Sequence, residues 1–381
     1  MRSILALFLA LLIFTPASSH FLDGNLDNAP DNIKIGVFLS LTGATAAYGV
    51  SALNSFKLAT EEVNAAGGIM GRRVELVVED DHSNTAEVAG IVTKLITQDS
   101  VYALLAEPIS TRAMVAAPIA QEHKVVLISP AAVKPELTMQ GDYIFRACFT
   151  SQVEGEAIAR FATKRLKAKR AAIILDRKND YAVVLAGFFS ESFRRFGGEI
   201  ISQQHYEATD KDIAAQIRAI SQSKPDVIFA PGFYSTAGLV AREIKNQRVK
   251  AQLIGSDGWD SPSLLEGAGD AFEGVYFGNH FWVGSDEPLV RKFVADYHSE
   301  FGLAPDAGSA TAYDAAHLLF DAIKRAKSTD SAAIRAALSQ TANFPGVTGR
   351  ITIDPNRNAR VPVYMLRIGK GGRFSLQSAG S

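Results

Sequence analysis

The stretch IKIGVFLS at residues 33–40 is a short apolar run rich in β-branched residues, and it opens the pattern that decides the fold. Between residues 53 and 63, apolar side chains recur at spacings of three and four, which predicts an amphipathic helix. A second apolar run, RVELVVED, follows at 73–80. Strands that alternate with helices of this length indicate parallel sheets joined by crossover helices.

The alternation continues along the chain and starts again near residue 150. Further runs indicate strands at 101–106, 124–129, 170–176, 199–206, 226–231 and 251–255, with helices around 85–98, 111–122, 288–301 and 310–326. Because most of these runs are apolar throughout, they suit sheets that are covered on both faces. A chain of 381 residues also suits two domains of about 150 residues each. We therefore expect an α/β protein with two doubly wound lobes.

The first residues have the layout of a secretory signal peptide. Residues 1–19, MRSILALFLALLIFTPASS, contain one arginine, an apolar core from Ile4 to Phe14, and then Pro16 and small residues. The apolar core is shorter than the about 20 residues of a membrane span, although a retained anchor is the alternative. We expect cleavage near Ser19 and an exported, soluble protein.

Composition argues against several kinds of partner and chemistry. A net charge of −1 provides no basic field for nucleic acid or for an anionic membrane. Cys148 is the single cysteine, so no internal disulfide can form, and its apolar neighbours favour a buried side chain over a reactive thiol. The basic run KRLKAKR at 164–170 is interpreted as a solvated helix end, with a docking patch for a partner as the alternative.

Candidate functional residues lie just after the predicted strands, because ligands of open α/β sheets bind beyond the carboxyl ends of the strands. The candidates are Tyr48, Ser110, Thr111 and Ala131 to Lys134 from the first half, and Tyr181, Phe233, Tyr234 and Asp257 from the second half.

Two of these positions have complementary chemistry. Ser110 and Thr111 begin a helix, where a hydroxyl and free backbone N–H groups can hold a carboxylate, although an ordinary N-cap is the alternative. Asp257, within GSDGWDSP at 255–262, can receive a cation, although Asp and Gly are also common turn residues. Together they predict a pocket for a small zwitterion, lined by rings from Tyr48, Tyr181, Phe233, Tyr234 and Trp259.

Catalytic and metal-binding motifs do not fit the sequence. The histidines are scattered, and the chain has no H-E-x-x-H motif, no G-x-S-x-G motif and no phosphate-binding loop. The acidic EDDHS at 79–83 is interpreted as a strand-to-helix turn capped by Ser83 or Asn84. We expect no cofactor and no metal. A hydrolytic enzyme is disfavoured because no histidine is found among the candidates after the strands.

Six blocks of sequence, in order between residues 33 and 368, resemble one family. They are IKIGVFLSLTGATAAYG, AAGGIMGRRVELVVEDD, APIAQEHKVVLISPAAVKPELT, YIFRACF, LIGSDGWDSPSL and FPGVTGRITID. The chain resembles the periplasmic leucine/isoleucine/valine-binding proteins, the substrate-binding components of amino-acid ABC importers. The resemblance implies the type I periplasmic binding protein fold, in which two Rossmann-like lobes joined by three hinge crossings close over a ligand. It implies a first lobe of residues 33–149 and 283–352, and a second lobe of residues 150–282 and 353–377.

The resemblance also implies residue roles. Ser110 matches the serine that holds the ligand carboxylate, and Asp257 matches the acidic residue that receives the α-ammonium, with Tyr234 nearby. Tyr48 and Tyr181 match aromatic positions that line the cleft from the two lobes. Thr111, Ala131 and Val133 complete the predicted site.

The sequence departs from the family pattern near this site. Val133 replaces a threonine whose hydroxyl helps to bind the amino acid, and the loss of such a partner costs about 0.5–1.5 kcal/mol. Glu107 stands where glycine is common, and Arg112 follows the carboxylate loop. We expect Arg112 to lie on the helix surface, with a second ligand carboxylate as its alternative partner.

The predicted function is that of a monomeric periplasmic protein that captures an amino acid of the branched-chain or hydrophobic type and delivers it to a membrane permease. A ligand that is an aromatic or carboxylic acid, an amide or urea is the alternative within the same fold. A ligand sensor for a signalling receptor is the alternative from another class.

Overall fold

The computed structural model describes residues 31–261, 263–265 and 268–380. The predicted signal peptide at 1–19 lies outside these residues. Among the described residues, no helix is both long enough and apolar enough to cross a membrane.

The first sheet has five parallel strands in the order β2-β1-β3-β4-β5. The strands are β1 (Ile33–Leu39), β2 (Val74–Asp80), β3 (Ala103–Leu105), β4 (Val126–Ser129) and β5 (Ile144–Arg146), and the crossover helices are α1 (Ala46–Ala65), α2 (Thr85–Thr97) and α3 (Ser110–Glu122). Alternate side chains of β1 point to opposite faces, since Val37 and Leu39 belong to one hydrophobic core and Phe38 to another. The sheet is therefore buried on both faces, as the apolar runs predicted.

The second sheet begins after residue 150 with the same alternation. Its helices are α4 (Ser151–Lys164), α5 (Asp180–Arg195), α6 (Ala214–Ser223) and α7 (Tyr234–Asn246), and its parallel strands are β6 (Arg170–Asp176), β7 (Glu199–Tyr206), β8 (Val227–Phe229), β9 (Gln252–Gly255) and β10 (Tyr276–Asn279). The bounds of β6 and β7 are those that the sequence predicted. Strand β10 was not predicted.

The last part of the chain contributes helices to the first lobe and strands to the second sheet. It contains α8 (Pro288–Phe301), α9 (Ala307–Ala326), α10 (Ser331–Ser339), the small sheet of β11 (Phe344–Gly346), β12 (Gly349–Ile353) and β13 (Ala359–Arg360), and then β14 (Val363–Ile368) and β15 (Phe374–Gly380). Helix α9 packs against α1. It begins three residues earlier than predicted, because Asp306 and Ser309 form a reciprocal capping box at its start.

Strands β14 and β15 correct the expectation of purely parallel sheets. They join the second sheet in antiparallel orientation, giving the order β15-β14-β10-β9-β8-β6-β7. A short turn at residues 369–373 joins the two strands, so this edge needs no crossover helix. The chain thus forms two Rossmann-like lobes, one around each large sheet, as the predicted fold class requires. The residue limits of the lobes remain predictions.

Candidate functional site

A cavity lies where loops from the carboxyl ends of both large sheets meet, as expected for open α/β sheets. It contains about 510 Å³ of space between atoms, part of it open to solvent. The lining residues are Tyr48, Pro108, Ile109, Ser110, Ala131, Val133, Tyr181, Phe233, Asp257, Gly258, Asp260, His280, Ala307 and Gly308. Six of the eight predicted site residues are among them.

Ser110 stands on the first-lobe wall at the start of α3. Ile109 is the N-cap residue, and its apolar side chain makes no capping hydrogen bond. The Ser110 hydroxyl oxygen accepts a bond from the Lys134 N–H at 3.3 Å, so its own proton can be donated elsewhere. Unsatisfied N–H groups and the dipole of a helix start favour an anion. This wall of the cavity is therefore suited to a carboxylate.

Asp257 stands on the second-lobe wall, directly after β9. Its Oδ1 accepts bonds from the Tyr181 hydroxyl and from the Gly258 N–H at 2.9 Å, and its Oδ2 lies 2.8 Å from Nε2 of His280. Burial would raise the pKa of Asp257, but the hydrogen bond and charge of His280, together with the Tyr181 hydroxyl, lower it. Asp257 is therefore ionised at neutral pH.

Glu154, at the start of α4, lies behind Asp257 and is fully buried. Its Oε1 accepts a bond of 2.8 Å from the Asp257 backbone N–H, and its Oε2 has no hydrogen-bond partner among the described residues. Burial, followed by the charge of Asp257, raises the pKa of Glu154 well above its ordinary value. Glu154 is thus neutral beside an ionised Asp257, as expected for two carboxyl groups in contact.

A third carboxyl group, Asp260, completes the acidic side of the cavity. Its Oδ2 accepts bonds from Asn279 Nδ2 at 2.7 Å and from the Ala307 N–H at 2.9 Å. Burial and the nearby Asp306 raise the pKa of Asp260 to about 7. Asp260 therefore ionises, and the cavity gains negative charge, as the pH rises through neutrality.

Three aromatic rings form the middle of the cavity. Tyr181 and Phe233 are stacked, with centroids 5.3 Å apart, and Tyr48 meets Phe233 edge-on at 5.8 Å. The Tyr48 hydroxyl donates a bond of 2.5 Å to the Gly258 carbonyl, which links α1 of the first lobe to the turn of the second. The rings give the cavity an apolar centre between its polar walls.

Ala131 and Val133 line the cavity from a loop that a buried arginine holds. The guanidinium of Arg146 donates to the carbonyls of Ala132, Lys134 and Pro135 at 2.7, 2.6 and 3.2 Å. Arg146 lies at the end of β5, and its N–H groups reach the loop that follows the neighbouring strand β4. The Val133 side chain presents no hydroxyl to the cavity.

The other two predicted residues do not line the cavity, and neither does the ring of Trp259. The Thr111 side chain is exposed, one position along α3 from Ser110. Tyr234 packs edge-on against Tyr48 at 5.2 Å, outside the lining. Trp259 is 1% exposed and packs against Phe272 in the second-lobe core, because the turn after Asp257 points it inward.

His280 is a site residue that the sequence did not indicate. It directly follows β10, which was not predicted, and the expectation that no candidate after a strand is histidine is therefore wrong. The residue is 3% exposed, and its ring stacks on Phe149 with centroids 3.7 Å apart. The sequence does contain a signal for His280, namely the apolar run VYF at 275–277. A polar residue shortly after an apolar run is the same pattern that identified Asp257.

Arg112 corrects another prediction. It is 5% exposed rather than on the helix surface, and its Nη2 lies 2.7 Å from Oε1 of the buried Glu107. Burial raises the pKa of Glu107 to about 7 even though Arg112 opposes that rise. The two departures from the family pattern at 107 and 112 therefore form one buried pair that is not among the cavity-lining residues.

Other predictions outside the cavity agree with the structure. Asn84 caps α2 and accepts from the Ala86 N–H, as interpreted for the EDDHS turn. Cys148 is buried, and burial raises the pKa of its thiol to about 12.

Comparison with known proteins places the chain in a family. Residues 32–373 match the family model of the periplasmic binding proteins. A leucine-binding protein LivK from Thermotoga maritima is 33% identical, with a TM-score of 0.86 over 92% of this chain and 99% of that one. LivJ from Streptococcus pneumoniae, solved with isoleucine, is 31% identical, with a TM-score of 0.84 over the same shares.

A third solved structure has a different kind of ligand. The solute-binding protein of an ABC transporter from Rhodopseudomonas palustris BisB5, in complex with 3,4-dihydroxybenzoic acid, is 26% identical, with a TM-score of 0.83 over 92% of this chain and 97% of that one. The chain therefore belongs to the periplasmic binding protein family, with the type I fold of the leucine/isoleucine/valine-binding proteins that serve ABC transporters.

Proposed function

We propose that this protein is a periplasmic carrier of a hydrophobic amino acid of the branched-chain type. The observation that supports the proposal is that the free start of α3 at Ser110 and the ionised Asp257 line the same cavity. A helix start suits the ligand carboxylate, and a carboxylate suits the ligand ammonium. Val133 and the rings between them suit an aliphatic side chain. The relatives LivK and LivJ support the same ligand class.

The mechanism we propose is closure of the two lobes over the ligand, followed by delivery to the permease of an ABC transporter. The protein binds and releases its ligand unchanged, acts as a monomer and needs no cofactor. The Tyr48–Gly258 bond supports closure, because it joins the lobes beside the cavity. Loss of ligand uptake by cells that lack the gene, and its recovery with the gene restored, would support delivery; uptake that persists would instead favour a sensor.

An aromatic carboxylic acid is the second candidate ligand. It is favoured by the stacked rings of Tyr181 and Phe233, and by the His280 ring that already occupies Oδ2 of Asp257. The relative that was solved with 3,4-dihydroxybenzoic acid shows that a chain of similar fold holds such a ligand.

A thermal-shift screen of the mature protein tests both candidates. The protein is stripped by partial unfolding and dialysis, then mixed with the twenty amino acids, amides, urea, and aromatic and dicarboxylic acids. Ligand at 100 times Kd stabilises by about 2.7 kcal/mol, which raises Tm by several degrees. Shifts with leucine, isoleucine or valine support the proposal. Shifts with acids alone support the second candidate. The absence of a Tm shift with every compound would contradict both candidates.

A further inference from the structure

The hydrogen-bond capacity of Asp257 is nearly used by the protein itself. A carboxylate offers about four lone-pair sites; Tyr181, Gly258 and His280 contact three of them, and the Glu154 side chain also lowers the pKa of Asp257. A donor on a ligand therefore competes with these partners. The groups around Asp257 decide how well an ammonium binds there.

The His280 ring is held in place rather than free to turn away. The backbone N–H of His280 donates to Asn279 Oδ1 at 2.9 Å, and Phe149 covers one face of the ring. The ring nitrogen Nδ1 has no hydrogen-bond partner among the described residues. The side chains of His280 and Asp257 are 4% and 9% exposed, so solvent screens their interaction weakly.

We propose that His280 is a specificity-determining residue, because its ring competes with the ammonium group of a ligand for Asp257. This inference rests on the proposed function. Nε2 of the ring lies 2.8 Å from Oδ2 of Asp257, where the N–H of a ligand ammonium would otherwise bind. With the ring in this place, the cavity favours a carboxylate without an amine. A side chain at position 280 without the imidazole leaves Oδ2 of Asp257 available to an amino acid.

Other titratable groups surround Asp257 and His280. Tyr48 on α1, Tyr181 on α5 and Asp260 after the 257–259 turn line the cavity. Glu154 on α4, Cys148 before α4 and Asp306 before α9 are buried outside the lining. Ionisation of Asp260 as the pH rises also favours an ammonium. The wild type and the His280 variant are therefore compared at the same pH.

The test measures Kd by calorimetry for two matched ligand pairs: leucine with 4-methylpentanoate, and phenylalanine with 3-phenylpropanoate. Each pair differs in the ammonium group. His280→Gln retains a neutral donor toward Asp257, and His298→Gln, on the exposed side of α8, removes an imidazole elsewhere as the control. We expect the preference for the amino acid at pH 7 to be at least about tenfold greater in His280→Gln than in the wild type. The His298→Gln control should keep the wild-type preference.

Equal preferences in the wild type and His280→Gln would overturn the role of His280 while leaving the proposed function intact. Failure of the wild type to bind any of the four ligands would contradict the proposed function itself. If His280→Gln does not fold, His280→Asn is the second variant, and the same increase in preference is expected of it.

Discussion

Asp257 and Ser110 show how single residues define the two ends of the candidate site. Asp257 is ionised because its hydrogen bonds outweigh its burial, whereas Glu154, 2.8 Å from the Asp257 backbone N–H, has no comparable donors and is neutral. Ser110 depends on its position at the start of α3 rather than on a charge. A zwitterion would thus contact the full negative charge of Asp257 at one end and the N-terminus of α3 at the other.

Replacement of Asp257 tests the first of these contacts. We expect Asp257→Asn to weaken leucine binding by about tenfold to a hundredfold, because a hydrogen bond to a charged group contributes about 1.5–3 kcal/mol. Isothermal calorimetry measures the change. Asp270→Asn is the control, since Asp270 is 80% exposed and pairs with Lys245. Equal affinities of Asp257→Asn and the wild type would remove Asp257 from the site.

Replacement of Val133 tests the departure from the family threonine. Val133→Thr keeps the side-chain shape and adds a hydroxyl at the cavity wall. We expect leucine or valine to bind about two- to tenfold more tightly, since a hydrogen bond contributes about 0.5–1.5 kcal/mol. Val183→Thr, on the exposed face of α5, is the control. Unchanged or weaker binding would mean that the cavity is reshaped by residues other than Val133.

At the scale of elements, helices α1, α8 and α9 meet at one carboxylate on the first lobe. Glu62 accepts bonds from Lys292 Nζ at 2.6 Å, from the Tyr313 hydroxyl at 2.6 Å and from His317 Nε2 at 3.1 Å. Burial raises its pKa, but these donors, His317 first, outweigh burial and lower the pKa to about 2. Helices from distant parts of the chain are thereby joined.

The low pKa of Glu62 predicts a pH dependence of stability. Because the folded state holds the ionised form, the contribution is complete above the ordinary pKa of 4.5 and is lost as the pH falls from there toward about 2. We expect Glu62→Gln to lower the free energy of unfolding at pH 7, and the difference from the wild type to shrink between pH 5 and pH 3. Urea titrations measure it, with the exposed Glu61→Gln as control. A pH-independent difference would contradict the assignment.

At the scale of the whole molecule, the cavity exists only where the two lobes meet. The Tyr48 hydroxyl and the Gly258 carbonyl form a bond between residues 210 positions apart in the chain. Tyr48 also packs edge-on against Phe233 and Tyr234 of the second lobe. These contacts are made when the lobes are together, so they belong to the closed arrangement that we propose for ligand capture.

Because the Tyr48 hydroxyl bonds a residue of the other lobe, its loss should weaken ligand binding and leave the stability of each lobe unchanged. We expect Tyr48→Phe to raise Kd by about two- to tenfold. We also expect a smaller ligand-induced decrease in the radius of gyration than in the wild type, measured by small-angle X-ray scattering. Tyr206→Phe, which loses a bond to Thr236 within the second lobe, is the control. The same Kd and the same compaction in Tyr48→Phe would exclude an interlobe role for this hydroxyl.

The sequence by itself determined the α/β alternation, the strands β6 and β7 to the residue, and Ser110, Tyr181 and Asp257 as residues that line one cavity. These follow from local patterns, since an apolar run makes a buried strand and the residue after a parallel strand lies at the binding edge. Tertiary structure alone decided that β14 and β15 are antiparallel, that Trp259 points into the core and that His280 contacts Asp257. The reason is that side-chain direction and pairing between distant residues depend on how the sheets and lobes pack, which no local spacing in the chain encodes.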